Sequence, residues 1–277
     1  MNWDYYRGKT ALITGGSSGI GLALARLLLE YGANVSLLAR DLSKLEHARE
    51  QLLASYENAS VEILSADVSD ADSLSMVFDD YLKKQGVPDI LINSAGVARP
   101  GYVEELPLEV YRWTMDIDYH GTVNTTKLLL PGMLQRGSGH IINISSMAGV
   151  IGVFGYTAYS GAKFAVKGFS DVLRSEMKPR GVKVSVVFPP DTNTPQLAWE
   201  NQFKPHETRT ISGTSKAISP EEVAKVTLHQ AARGKYAIVP GKEAKILYFF
   251  VTRLGNWIYP LMDLMVNSAI KKKNNKQ

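Results

Sequence analysis

Short apolar runs alternate with longer amphipathic stretches along the first 240 or so residues. Thr10–Thr14 (TALIT), 34–38 (NVSLL), the start of SVEILSADVSD, 89–93 (DILIN), 139–145, 183–188 (KVSVVF) and 236–239 are brief, and the longer of them are largely apolar on successive positions. That pattern predicts strands buried on both faces rather than strands with one wet side. Between them, 21–31, 43–56, 71–85, two runs within 107–136 that meet near DIDYHGTV, the stretch TAYSGAKFAVKGFSDVLRSEM and 219–232 carry helical spacing, the last with Ser219 as cap and Pro220 at the first position. Strand and helix in alternation imply an α/β fold, a doubly wound parallel sheet with helices on both faces and ligand at the carboxyl ends of the strands.

The pattern breaks at Pro189. PPDTNTPQLAWENQFKPHETRTISGTSK has no clear period, and its place after the sixth strand predicts a lid, residues 191–217, over the ligand site. We read 1–241 as one nucleotide-binding and catalytic domain including that lid, and 242–277 as an apolar helical tail ending in a basic stretch. Within AKILYFFVTRLGNWIYPLMDLMVNSAI, Arg253, Pro260 and Asp263 interrupt the apolar run, so it falls short of the ~18 to 20 clean residues a spanning helix needs. Two readings stay open: an interfacial helix giving peripheral membrane contact with the lysines as anchor, or a helix packed over the lid or against a twin subunit. A homo-oligomer is expected.

Composition narrows the classes. With 45% hydrophobic residues the chain can bury a large core, and its formal charge of +4 comes from Lys271, Lys272, Lys273 and Lys276, leaving residues 1–270 balanced. That balance argues against a nucleic-acid groove. The absence of cysteine excludes disulfides, thiolate metal sites and a cysteine nucleophile, and no metal is expected. MNWDYYRGKT lacks the apolar core of a secretory signal, so the domain is expected in the cytosol or on the cytosolic face of a membrane, the endoplasmic reticulum if the source is eukaryotic.

The first strand runs into GGSSGIG and then a helix. Gly15, Gly19 and Gly21, with Ser17, Ser18 and Ile20 among them, form a candidate phosphate cradle, because glycine allows close backbone approach and the helix start offers amide donors. This is the opening of a Rossmann-type fold. Arg40, at the end of the second strand, points to the 2′-phosphate of NADP, while Asp41 reads as the cap of the next helix. Asp67 and Val68 follow the third strand, where the adenine would lie. Asn93, Ala95 and Gly96 form a strand-end turn close to the cofactor, with structural support an equal role for Asn93. Tyr159 and Lys163 are four apart on one helix and share a face, with Ser146 thirteen residues earlier after an apolar strand. Asp118 and His120 offer a further acid and base; His120 reads as a surface residue with a local hydrogen bond.

TGGSSGIG, NSAG and S-x12-Y-x3-K together resemble the short-chain dehydrogenases/reductases over residues 8–239. GVFGYTAYSGAKFAVKGF, EMKP, PPDTNTP, WEN, KPHETR and TIS are similar, more narrowly, to the 3-ketodihydrosphingosine reductases. The resemblance implies Tyr159 as general acid, Ser146 holding the carbonyl oxygen, and Lys163 binding the nicotinamide ribose and lowering the phenol's pKa. It places Asp118 where the family has a catalytic asparagine, and Pro189, Thr192 and Thr194 in the segment beside the nicotinamide. It implies NADPH/NADP as cofactor and a long-chain keto sphingoid base as substrate, reduced to dihydrosphingosine. Another lipophilic ketone, such as a steroid, retinoid or 3-ketoacyl thioester, is the alternative.

Overall fold

Seven apolar runs pair side by side in one sheet: β1 Thr10–Thr14, β2 Asn34–Ala39, β3 Val61–Ser65, β4 Ile90–Asn93, β5 Gly139–Ile144, β6 Val182–Val187 and β7 Ala237–Ile238. All neighbours are parallel, in the order β3-β2-β1-β4-β5-β6-β7. The computed structural model describes residues 3–56, 59–212 and 216–274; Lys276 and positions 213–215 of the expected lid lie outside them. The chain winds outward from β1 to β3, then returns to lay β4 against the other side of β1. That reversal opens a crevice at the carboxyl ends of β1 and β4, the switch point where doubly wound sheets bind ligand.

The helices are α1 Gly19–Glu30, α2 Leu42–Ser55, α3 Ala71–Gln85, α4 Leu108–Met115, α5 Gly121–Arg136, α6 Thr157–Met177, α7 Pro195–Glu200, α8 His206–Ser212, α9 Pro220–Ala231, α10 Lys242–Leu254 and α11 Tyr259–Asn274. Successive strand residues serve opposite layers. Ile13, Leu37, Ile92 and Ile142 pack with Leu24 and Leu28 of α1, Leu45 of α2 and Leu228 of α9. Their neighbours Leu12, Leu38, Leu91 and Ile141 pack with Phe78 of α3, Leu129 and Met133 of α5 and Leu173 of α6. The unbroken apolar runs are therefore two interleaved cores, because side chains alternate along a strand.

Side chains mark the helix starts. Asp41 Oδ1 accepts from Lys44 N–H at 3.1 Å, so it caps α2, and Ser219 Oγ does the same for α9 from Glu222 N–H at 3.1 Å. One feature differs from the sequence reading, and a second meets one of the alternatives left open for the tail, a helix packed on the expected lid. The aperiodic stretch after β6 contains α7 and α8, too short for a period to show. Beyond β7, α10 and α11 are joined by a 3-10 turn, Gly255–Ile258, and α11 packs on α8. Ile258 and Ala269 are buried there, whereas Phe249, Phe250, Trp257 and Leu264 are exposed. Among the described residues no helix is long and apolar enough to cross a membrane.

Polar groups inside the sheet are paired. Asn93 and Asn143 face each other across β4 and β5, with Asn93 Nδ2 donating to Asn143 Oδ1 at 2.8 Å and Asn143 Nδ2 donating to Ser170 Oγ at 2.9 Å. His140 on β5 is 1% exposed. Ser185 Oγ spends its proton on Lys235 O at 2.7 Å, so at 2.9 Å it accepts from His140 Nε2, and Nδ1 accepts from Tyr5 Oη at 3.2 Å. The ring is thus neutral; burial, with Lys183 and Lys9 nearby, lowers its pKa to about 3.

The unfolded chain takes up a proton near the ordinary histidine pKa of ~6.5, whereas the folded chain refuses it until about pH 3. His140 therefore removes stability as pH falls through that window. His140→Gln, which keeps a donor and an acceptor without titrating, is expected to be less stable at pH 7 by about 1–3 kcal/mol and to lose stability more shallowly from pH 6.5 to 3. Urea melts at stepped pH read both slopes; equal slopes would refute the assignment.

Candidate active site

The turn between β1 and α1 is built by glycine. Gly15 and Gly19 have φ of +65° and +55°, a region L side chains rarely enter. At Gly21 a Cβ would lie 2.3 Å from Gly15 O, so the helix starts against the turn with no room for a methyl group. Ser18 stands at the cap position of α1, yet its side chain makes no capping bond. The first amides of α1 are left without a side-chain acceptor at the crevice, which suits an anionic group. A Cβ on Gly19 would lie 3.2 Å from Thr194 Cγ2, so the segment after β6 crosses directly over this cradle.

β5 delivers Ser146 to the same end of the sheet, where its Oγ accepts from Ala148 N–H at 3.1 Å and caps a single 3-10 turn, Met147–Gly149. Tyr159 lies in the first turn of α6 and Lys163 one turn further. Lys163 is buried: Nζ donates to Ile144 O at 3.2 Å and stands 3.2 Å from Asp118 Oδ2 and 5.5 Å from the centre of the Tyr159 ring. Asp118 is wholly buried in a π turn, Asp116–His120, that joins α4 to α5. Its Oδ1 accepts from Val97 N–H at 2.7 Å, and Oδ2 faces the ammonium as an ion pair without hydrogen-bond alignment. Gly96 makes the approach possible, since a Cβ there would lie 3.2 Å from Nζ and 3.4 Å from Oδ1.

Burial pushes the Asp118 carboxyl above its usual range, against the pull of Lys163 and Val97 N–H. It also raises the Tyr159 phenol well above its ordinary value, helped by Glu200, Asp118 and Asp191 and opposed by the Ser146 hydroxyl. In the protein alone the phenol is therefore a protonated acid. The ammonium of Lys163, which the resemblance has lowering the phenol, faces Asp118.

A cavity of about 290 Å³ joins these parts: Gly15, Ser17, Ser18, Gly19, Ile20 and Gly21 at one end, Gly96, Ser146, Tyr159 and Lys163 at the other, and Pro189, Thr192 and Thr194 along the side. Some candidates lie elsewhere. Arg40 is exposed at the end of β2, its guanidinium 3.6 Å from Asp67 Oδ2 beyond β3. The side chain of Val68 packs into the core against Gly121. Asn93 gives its amide to Asn143 and Thr126 and accepts from Thr125 Oγ1 at 2.6 Å, so its contacts describe structural support. Ala95 N–H is held by Thr14 Oγ1 at 3.0 Å. His120 is on the surface, 3.0 Å from Asp116.

Four residues beside Tyr159 escaped the sequence reading. Tyr156 Oη donates to Glu200 Oε2 at 2.8 Å, and Lys204 Nζ pairs with Asp191 Oδ2 at 3.2 Å. Tyr156 carried a signal, standing three residues before Tyr159 at the cap position of α6. Asp191, Glu200 and Lys204 sit in the aperiodic segment, where no spacing placed them.

The sequence matches the family described as short chain dehydrogenase over residues 9–204. It is 39% identical over 243 residues to a Danio rerio protein named 3-dehydrosphinganine reductase, covering 87% of this chain and 73% of the relative. It is 37% identical over 276 residues to a Dictyostelium discoideum 3-ketodihydrosphingosine reductase, covering 94% and 83%. A solved structure described as ElxO with NADP bound superposes with a TM-score of 0.74 at 27% identity, covering 84% of this chain and 97% of that one. The parallel sheet, the glycine cradle and the serine, tyrosine and lysine of one cleft, together with these matches, make the chain a member of the short-chain dehydrogenase family of oxidoreductases.

Proposed function

We propose that the protein reduces the ketone of a long-chain 3-keto sphingoid base to the corresponding alcohol, with NADPH as reductant. The observation that carries this reading is the convergence of Ser146, Tyr159 and Lys163 with the glycine cradle in one cavity, in a chain whose relatives are named for that reaction. The uncapped start of α1 and the room left by Gly15, Gly19 and Gly21 fit a dinucleotide pyrophosphate, and Arg40 would meet a 2′-phosphate. Bound NADPH would supply the hydride. Ser146 holds the carbonyl oxygen, and Tyr159, a phenol protonated at neutral pH, gives that oxygen its proton. Lys163 would bind the nicotinamide ribose, and Asp118 positions Lys163. Segment 191–217 acts as a lid over the cavity.

The exposed faces of α10 and α11 support a resting place on a lipid surface. Ile246, Phe249 and Phe250 on α10, Trp257 in the turn and Leu261 and Leu264 on α11 are exposed and followed by lysines, the pattern of an interfacial anchor. A substrate with a long alkyl chain then reaches the cleft from the membrane.

Purified protein with 3-ketodihydrosphingosine in detergent is expected to oxidise NADPH faster than NADH, and Tyr159→Phe to lower kcat by about 100- to 10,000-fold; turnover untouched by that change would refute the acid assignment. Asp118→Asn removes an anion that raises the phenol. The alkaline limb of the reduction pH profile is expected to move to lower pH, where an unmoved limb would separate Asp118 from the proton transfer. Sedimentation with anionic vesicles should carry the protein down, and the double change Phe249→Asp, Trp257→Asp should leave it in the supernatant.

A further inference from the structure

We propose that Glu200 selects an amine-bearing ketone: its carboxylate receives the ammonium that the substrate carries on the carbon next to the carbonyl. This rests on the reading of the reaction given above and adds what distinguishes the substrate from other lipophilic ketones.

Glu200 closes α7, is 6% exposed, and lines the same cavity as Ser146 and Tyr159. Its oxygens have only neutral donors. Oε2 accepts from Tyr156 Oη and Oε1 from Gln196 Nε2, both at 2.8 Å. Lys204, the cation whose field reaches it, is already paired with Asp191. Among the described residues Glu200 takes part in no ion pair, so this corner of the cleft holds two carboxylates and one ammonium. A buried carboxylate without a cation is costly unless something supplies the charge.

The location defines what supplies it. The ring centres of Tyr156 and Tyr159 are 5.7 Å apart, so a single aromatic contact separates the ring that donates to Glu200 from the ring of the reacting phenol. With the carbonyl oxygen held by Ser146 and Tyr159, we seat the cationic group, one carbon from the carbonyl, on the Tyr156 side of the cleft, where Glu200 lies. Its charge offsets the two carboxylates that oppose proton loss from Tyr159. A steroid, a retinoid or an acyl thioester brings no cation and leaves the carboxylate uncompensated, and that mismatch rejects it.

The test compares 3-ketodihydrosphingosine with the same chain lacking the 2-amino group, on the native protein and on Glu200→Gln, with NADPH saturating. The native protein is expected to favour the amino ketone by roughly 30-fold or more in kcat/KM. Glu200→Gln should erase that preference, mainly by raising KM for the amino ketone far more than for the deaminated ketone. No preference in the native protein, or equal losses on both ketones, would overturn the proposal and leave Glu200 a structural part of the segment after β6. Binding of dodecylamine against dodecanol to the NADP-loaded native protein, by calorimetry, reads the same selection without turnover. Preference for the amine supports the proposal even if neither ketone is reduced, a result that would refute the reaction itself. Equal binding refutes the role of Glu200 whatever the turnover.

Discussion

The site depends on burying the ammonium of Lys163. A lysine withdrawn from water beside a phenol needs a compensating anion, and Asp118 is that anion, itself wholly enclosed. Each is costly alone, and the pair is tolerable because Val97 N–H and Ile144 O hold the remaining faces. Much of the local architecture follows from this requirement. Gly96 leaves the space the pair occupies, and Val97 in the loop after β4 and Ile144 at the end of β5 face the two charges.

Burial, with Glu200 and Asp118 nearby, sets the electrical character of the Tyr159 phenol. Tyr159 stands among carboxylates, and the ammonium groups of Lys163 and Lys204 are engaged by Asp118 and Asp191. Its proton is held firmly, so giving it up to a carbonyl oxygen calls for positive charge nearby in the cleft. Segment 189–219 adds Asp191 and Glu200 to that field, while Thr194 reaches the glycine cradle from the other side. The portion of the chain with the least regular sequence therefore touches both ends of the cleft.

The strands and the helices flanking them were legible in the sequence because they are long enough for a period to show and because both cores demand apolar residues at most strand positions. Gly15, Gly19 and Gly21 were legible through their place between β1 and α1, as were Tyr159 and Lys163 through helical spacing. Val68 was read as facing the adenine although its side chain belongs to the core, since a residue just past a strand can point either way. Asn93 could be seen but not assigned until its partners Asn143, Thr125 and Thr126 were known. Glu200 and Lys204 lay beyond reach for another reason: α7 and α8 are held by tertiary contacts rather than by their own periodicity, and such contacts leave no local trace.

The π turn at Asp116–His120 has a further consequence. A π turn is an α-helix carrying one extra residue, and each residue of an α-helix advances the backbone by about 100°. Deleting a single position there would let α4 and α5 merge into one regular helix, a local gain in hydrogen-bond geometry. The same deletion would rotate one half of that helix against the other and carry Asp118 away from Lys163. Helix regularity and charge neutrality thus ask for different chain lengths at this point, and the length present is the one that serves the charge.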